Sequence, residues 1–451
     1  MATAAGVALQ EARSAYRRRE LDKARARVED GLRLGPDEPE LLYLAGCIAL
    51  DQQRAGDARD LLGKAHRHSP QSPAIAYNFG NACFALQDFA AAVGAFSSVL
   101  DWSPRTHDVA FKTGYSLGRL NEWQAAGAAL VLAQRCGDAR GETARGVGEC
   151  ARELVTAGRQ APRYLLPPER ATGRISVVVC SIAPDKLARL RQNLDERLAG
   201  EDWELIHIAD APSLCEGYNR GVARATGELI VMCHDDIRIL SPDFAEKLRA
   251  YLAAYDLIGV AGTTQTSGPS WGWSGPPHLF CWISQAYLTA EFRDNGPVTL
   301  VIGAHGPVVP GAQMLDGVFL AGRRSLLQTL QFDEATFDRF HFYDLDYSYR
   351  AHLAGARVAI CLDIALFHDS AGNYNEDYWR YADRFRAKFP QACTAPEHAR
   401  TAIPWMPLAA SDAILLDELA WLRHWTSRSD AELLDAVRSA AAAHAESGLR
   451  A

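Results

Sequence analysis

Across the first third of the chain, apolar positions keep a helical spacing, and the small residues among them keep a second, longer one. Ala24, Ala58, Ala92 and Ala126 stand 34 residues apart. The same interval of 34 separates Gly46, Gly80 and Gly114, Pro36, Pro70 and Pro104, and the bulky Leu62, Phe96 and Leu130. Columns that share one period predict an all-α solenoid of helix pairs over roughly residues 5–140. Gly and Ala let the two helices of a pair approach closely, and Pro ends the second helix because it cannot continue the hydrogen-bond ladder. The large apolar column is expected to fill the gap between neighbouring repeats. Residues 107–140 lack the closing Pro, with Asp138 to Gly141 in its place, so they read as a terminal repeat and 141–158 as a capping helix. Arg159–Arg174 (RQAPRYLLPPERATGR) carries three prolines and breaks the helical period, as a linker does.

Beyond the linker, short apolar runs alternate with amphipathic stretches. Strands are expected at Ile175–Ile182, Glu204–Ala209, Glu228–Cys233 and Leu257–Gly262. Helices are expected at Asp185–Leu198 and Ser213–Thr226, and after Ser241-Pro242, read as N-cap and first helical residue. This alternation predicts an α/β domain over 175–395 with a doubly wound, mainly parallel sheet. Residues 396–451 return to helix, with amphipathic stretches at Leu415–Trp425 and Ala431–Ala443 expected to pack on the domain or on a partner. The domain plan is therefore 1–158 repeats, 159–174 linker, 175–395 α/β domain and 396–451 helical extension.

The run Leu229–Cys233 ends in His234-Asp235-Asp236. In open α/β sheets ligands bind beyond the carboxyl ends of the strands. A carboxylate pair there can hold a divalent cation, and the cation a diphosphate; the alternative is a surface turn, where Asp is common. Composition narrows the choice. A chain of 451 residues with 48% hydrophobic and 23% charged residues is that of a globular protein, and a net charge of -8 argues against nucleic-acid binding. No apolar run is long enough for a membrane span, and the N-terminus lacks an export pattern. The ten cysteines form no C-x-x-C pair and sit mostly in apolar segments, so they read as buried hydrophobes in a reducing, cytoplasmic setting. The absence of G-x-G-x-x-G and G-x-x-x-x-G-K-[ST] disfavours a dinucleotide-binding or P-loop enzyme.

The 34-residue period with Gly, Ala and Pro at fixed offsets resembles the tetratricopeptide repeat (TPR), whose concave surface usually binds a peptide or protein. A structural spacer or a homodimer contact is the alternative. Over about 175–390 the chain resembles a GT-A glycosyltransferase of the family-2 type. Asn219-Arg220-Gly221 and Ala225-Thr226-Gly227 lead into the strand that ends at Cys233-His234-Asp235-Asp236, where the family has an acidic D-x-D motif. Cys233 stands at the first acidic position on this alignment, leaving the metal to Asp235 and Asp236; a His-x-Asp version found in some relatives would favour Asp236. Asp316-Gly317 resembles the acceptor-side strand, and Tyr343-Asp344-Leu345-Asp346 with Arg350 and Gly355 resembles the family's E-D-x-D-L…R…G pattern, with Tyr343 in place of Glu.

The resemblance implies a Mn²⁺ or Mg²⁺ ion held by Asp235, Asp236 and His368, and a nucleotide-sugar donor, UDP-sugar first, bound by Cys180, Ser181, Asn219, Asp235, Asp316, Trp271 and Trp273. It implies Asp344 as general base for the acceptor hydroxyl. Each role has a plainer counterpart: His368 as a satisfied core residue, Asp344 as a helix cap, the two tryptophans packed under their loop. Asp346 and Arg350, four apart, read as a structural pair. Residues 296–311 read as an insertion, a hairpin near the acceptor. The function expected is an inverting, metal-dependent glycosyltransferase acting on a protein or peptide held by the repeats. The Cys233 and Tyr343 replacements keep open an interaction scaffold whose transferase domain is inactive. A nucleotidyltransferase would show a Gly-rich loop with Lys or Arg where Cys180-Ser181-Ile182-Ala183-Pro184 stands.

Overall fold

The computed structural model describes residues 4–102, 106–137, 141–288, 294, 296–370, 374–394 and 404–448. Pro104 and positions 138–140, both used in the repeat reading, lie outside the described residues. By internal contacts the chain forms two compact units, Met1–Cys136 with Ser429–Ala451, and Gly137–Arg428. No described helix is long and apolar enough to cross a membrane.

The first unit is four helix pairs: α1 (Ala4–Arg17) with α2 (Leu21–Leu34), α3 (Pro39–Asp51) with α4 (Ala55–His68), α5 (Pro73–Ala85) with α6 (Phe89–Trp102), and α7 (His107–Arg119) with α8 (Trp123–Arg135). A Cβ at Gly46 would lie 2.3 Å from Leu62, one at Gly80 2.5 Å from Phe96, and one at Gly114 2.6 Å from Leu130. The bulky column thus fills the glycine notch of its own pair first; Leu62 then also meets Ala82 of the following repeat. A further column escaped the sequence reading. Arg19, Gln53, Gln87 and Asn121 all adopt left-handed backbone, φ 59 to 62°, at the turn inside each pair. The next N–H of each turn reaches back to close the first helix, as Glu20 N to Ala15 O and Asp88 N to Cys83 O do. The final helix, Asp430–Gly448, packs on α6 and α8, with Arg135 pairing Asp430 at 2.6 Å.

The second unit opens with α9 (Glu142–Thr156), then β1 (Ile175–Cys180), α10 (Pro184–Arg197), β2 (Trp203–Ile208), α11 (Leu214–Arg224), β3 (Leu229–Cys233), β4 (Ile237–Ile239), α12 (Phe244–Ala254), β5 (Leu257–Gly259) and β6 (Ala261–Thr263). It continues with β7 (Leu279–Cys281), β8 (Ser284–Gln285), β9 (Val298–Leu300), β10 (Val308–Pro310), β11 (Met314–Leu315), β12 (Phe319–Arg323), α13 (Arg324–Thr329), α14 (Tyr343–Leu353), β13 (Val358–Cys361), β14 (Leu366–His368), α15 (Glu376–Lys388), β15 (Trp405–Pro407) and α16 (Asp412–Thr426). The main sheet runs β10-β13-β5-β12-β3-β1-β2. It is mainly parallel, as expected: β1, β2, β3, β5 and β13 run one way, while β12 runs antiparallel between β3 and β5, and β10 antiparallel on β13.

Other expectations meet different packing. The stretch 257–262 breaks after Gly259: β5 stays in the main sheet and β6 joins a small sheet with β7 and β11. Residues 296–311 are not a hairpin, since β9 and β10 pair into different sheets. Ser241 does not cap α12, which starts at Phe244; its hydroxyl donates to Asp363 O and accepts from Ala365 N. Helix α9, read as a cap on the repeats, packs against α16, where Arg152 donates to the buried Glu418 at 3.0 Å. The linker is pinned at its end, Ala171 N donating to Arg249 O. All ten cysteines are free.

Candidate active site

Strand β3 is buried along its whole length and delivers His234-Asp235-Asp236 to its carboxyl end. Two neighbours fix that end. His234 N donates to Val318 O at 3.2 Å, just before β12, and Asp369 N donates to Asp236 O at 2.9 Å, just after β14. The second contact places His368 beside the turn. The donor atoms of His234, Asp236 and His368 all lie within 4.8 Å of one another. His368 Nε2 is 3.2 Å from Asp236 Oδ1 and 3.4 Å from His234 Nδ1. Metal bonds of about 2.1 Å span edges of about 3.0 Å at octahedral and about 3.4 Å at tetrahedral angles, so this set fits a divalent cation.

Of the expected trio, Asp236 and His368 come together, while Asp235 stands apart from them. Its Oδ2 accepts from Ser181 Oγ at 2.6 Å, and its Oδ1 lies 3.8 Å from Lys186 Nζ. His234 takes the third place. The chain leaves β3 after Cys233 into a turn at Asp235-Asp236, which turns Asp235 to Ser181 and leaves His234 and Asp236 on the side of His368. Cys233, aligned above with the motif's first acidic position, is fully buried in the sheet core, and the residues standing together here, His234 and Asp236, have a His-x-Asp spacing. The i, i+2 spacing was the signal. Lys186 was also missed; its ammonium lies 3.2 Å from Asp236 Oδ2. Burial would raise the Asp236 carboxyl, but the His368 hydrogen bond, the imidazoles and Lys186 outweigh it and hold the group well below the carboxylate range. Burial, reinforced by His368, keeps His234 below the usual imidazole range.

The other half of the site is built around Gly317. Its carbonyl accepts from Tyr343 OH at 2.9 Å, and its N–H donates to Asp344 Oδ2 at 2.6 Å. A Cβ there would lie 2.0 Å from the Tyr343 oxygen and 2.8 Å from Asp344 Cβ. Tyr343 also meets His234 Nε2 at 3.0 Å. Its phenol is pushed far up by burial, so it keeps its proton for Gly317. Phe342, before them, is held at φ 65°, a strain worth about 1–3 kcal/mol that a packed surround must enforce. Burial, with the charge of Asp316 nearby, pushes the Asp344 carboxyl up to about 7. Asp316 is itself held by Val318 N and Trp271 Nε1, both at 2.9 Å.

His234, His368, Asp316 and Asp344 open onto one cavity of about 650 Å³, walled by Trp271, Leu279, Ile283, Ile302, Tyr374 and Tyr378. Trp273 also reaches it, and Arg386 stacks on its outer face with 5.2 Å between guanidinium and ring. Asn219 is elsewhere: its amide bridges Phe332 N, Phe332 O and Glu334, fastening α11 to the loop before α14. Cys180 packs where a Cβ on Gly217 would lie 2.4 Å from its sulfur, and burial pushes its thiol up to about 12. Asp346 is buried between Arg350 and Lys388, a structural role.

Residues 176–395 match a family described as a glycosyltransferase like family, and residues 49–110 match the tetratricopeptide repeat. Among solved structures the chain is similar to the crystal structure of MamA protein, at 18% identity over 34% of this chain and 85% of that one, TM-score 0.32. It is also similar to YrrB, a TPR protein with an unusual peptide-binding site, at 16% identity over 34% and 76% of the two chains, TM-score 0.31. A third is a thermophilic TPR protein in Thermus thermophilus, at 19% identity over 34% and 84%, TM-score 0.25. No curated protein is significantly similar to the chain.

Proposed function

The chain carries a tetratricopeptide-repeat array and a glycosyltransferase-like domain, and on that premise we propose that it is an inverting, metal-assisted glycosyltransferase. It moves a sugar from a nucleotide donor, UDP-sugar first, to an acceptor hydroxyl on a protein or peptide that the repeats hold. In a single displacement the acceptor oxygen bonds to the anomeric carbon while the bond from that carbon to the diphosphate oxygen breaks. The electron pair leaves on the diphosphate, and the acceptor proton goes to a base.

Asp344 is that base. The Gly317 N–H fixes one of its oxygens, and a carboxyl held at about 7 is matched to taking a proton near neutral pH. A divalent cation held by Asp236, His368 and His234 would act as a Lewis acid toward the leaving diphosphate. Lys186 brings a second positive charge to the same edge, beside Asp236. The apolar and aromatic wall of the cavity keeps water away from the reacting carbon, which favours transfer over hydrolysis.

The observation that carries the reading is that Asp344 opens onto the same cavity as His234 and His368, the two imidazoles that cluster with Asp236. Asp344→Asn tests it, because the amide keeps the shape and removes the proton acceptor. Transfer kcat should fall roughly 10²–10⁴-fold, with donor affinity and Tm unchanged. Normal specific activity in the folded variant would make Asp344 a helix cap only.

A further inference from the structure

The three donors differ from a purely carboxylate motif in a way that sets ion preference. Asp236 divides its oxygens: Oδ1 faces His368 at 3.2 Å, and Oδ2 faces Lys186 at 3.2 Å. Asp235 is turned to Ser181. Facing inward are one carboxylate oxygen and two imidazole nitrogens, with the neutral Ser370 hydroxyl 3.2 Å from His368 Nε2. Which nitrogen His234 offers is settled by Tyr343. The phenol has one proton, and it is given to Gly317 O at 2.9 Å. Toward His234 Nε2, 3.0 Å away, Tyr343 must therefore accept. His234 carries its proton on Nε2, and Nδ1 presents a lone pair 3.4 Å from His368 Nε2. Only a glycine at 317 allows this, since a Cβ would sit 2.0 Å from the Tyr343 oxygen. His234 and Tyr343 are thus in contact, and each fixes the proton of the other.

We propose that His234, Asp236 and His368 form a site for a borderline first-row divalent cation such as Co²⁺ or Zn²⁺ in preference to Mg²⁺, with Tyr343 as the positioning residue that holds His234 in its ligand tautomer. The inference rests on the transferase reading for its setting, and on donor chemistry for its content. Imidazole suits Zn²⁺, Co²⁺ and Fe²⁺, whereas Mg²⁺ demands oxygen ligands and gives up its waters reluctantly. A ligating imidazole is oriented by the partner of its other nitrogen, and removing such a partner costs about 10–100-fold in metal affinity.

The test is Co²⁺ titration of the full chain without nucleotide, after chelation, read by the visible absorption of bound Co²⁺ and by calorimetry. One equivalent should bind, and Mg²⁺ in hundredfold excess should not displace it. Tyr343→Phe should weaken Co²⁺ about 10–100-fold while leaving the fold intact. Should that variant fail to fold, His234→Asp carries the test, since it keeps a donor in place and should move preference toward Mg²⁺ by at least tenfold. Displacement of Co²⁺ by equimolar Mg²⁺, or Co²⁺ affinity unchanged in His234→Ala, would overturn the proposal. Donor turnover is scored separately: turnover without ion preference would sink this inference and spare the transferase, and selective Co²⁺ binding with no turnover of any nucleotide sugar would do the reverse.

Discussion

Gly317→Ala should uncouple both halves of the site at once. The added methyl would start 2.0 Å from the Tyr343 oxygen and 2.8 Å from Asp344 Cβ, both on buried elements. Carbon and oxygen need roughly 3.5 Å, so Tyr343 must retreat by about 1.5 Å. That breaks its hydrogen bond to Gly317 O and strains the one from Gly317 N to Asp344. A neutral and a charge-assisted bond are together worth about 2–4 kcal/mol, and overpacking adds a similar cost of about 1–3 kcal/mol. A misplacement near 1 Å costs on the order of 10²-fold in rate. Transfer kcat should therefore fall at least about 10²-fold, and divalent-ion affinity about 10-fold through His234, in a protein that still melts cooperatively. Steady-state transfer and ion titration of the same preparation measure both. A folded Gly317→Ala protein with wild-type rate and ion affinity would refute the claim that this backbone holds both residues.

With Asp344 pushed up to about 7 by burial and the charge of Asp316, kcat/KM should drop about tenfold per unit as pH falls below that value, because the base must be ionised. Its folded pKa lies above its unfolded one, so its contribution to stability is full below about pH 4 and is lost as pH rises through about 7; ion-free melting in Asp344→Asn should lack that loss, and an unchanged profile would count against the assignment. On the repeat array, Tyr115 is 46% exposed on α7, and Lys112 one turn earlier bridges Asn81 of α5 and Asp108. Lys112→Glu with Tyr115→Asp should lower transfer to a macromolecular acceptor at least about tenfold while donor hydrolysis stays level, and equal loss of both would show that these helices do not hold the acceptor.

The repeat columns were legible because each serves a contact that recurs with the period, as Gly46 does with Leu62. The left-handed column at Arg19, Gln53, Gln87 and Asn121 was not, since no glycine marks it. In the second unit the strand ending at Asp235-Asp236 was readable from its apolar run, and Asp236 and His368 come together as expected, with His234 beside them and Asp235 turned to Ser181. Cys233, aligned with the motif's first acidic position, is buried in the sheet core, while His234 stands with Asp236 and His368. The partner that makes His234 a sensible ligand, Tyr343, is 109 residues away, and no local pattern links them. The parallel majority of the sheet was legible in the strand–helix alternation, but the antiparallel insertion of β12 between β3 and β5 was not, because long-range pairing and not its own sequence sets that placement.

Consumption of nucleotide sugars by the full chain, with and without added divalent ion, tests the central claim most directly. The account predicts that at least one donor, UDP-sugar first, is turned over in an ion-dependent way, and that Asp236→Ala abolishes both the turnover and ion-assisted UDP binding without unfolding the protein. A folded wild-type chain that neither binds UDP nor consumes any donor with any ion would contradict it, and would leave the second unit as a scaffold of transferase shape.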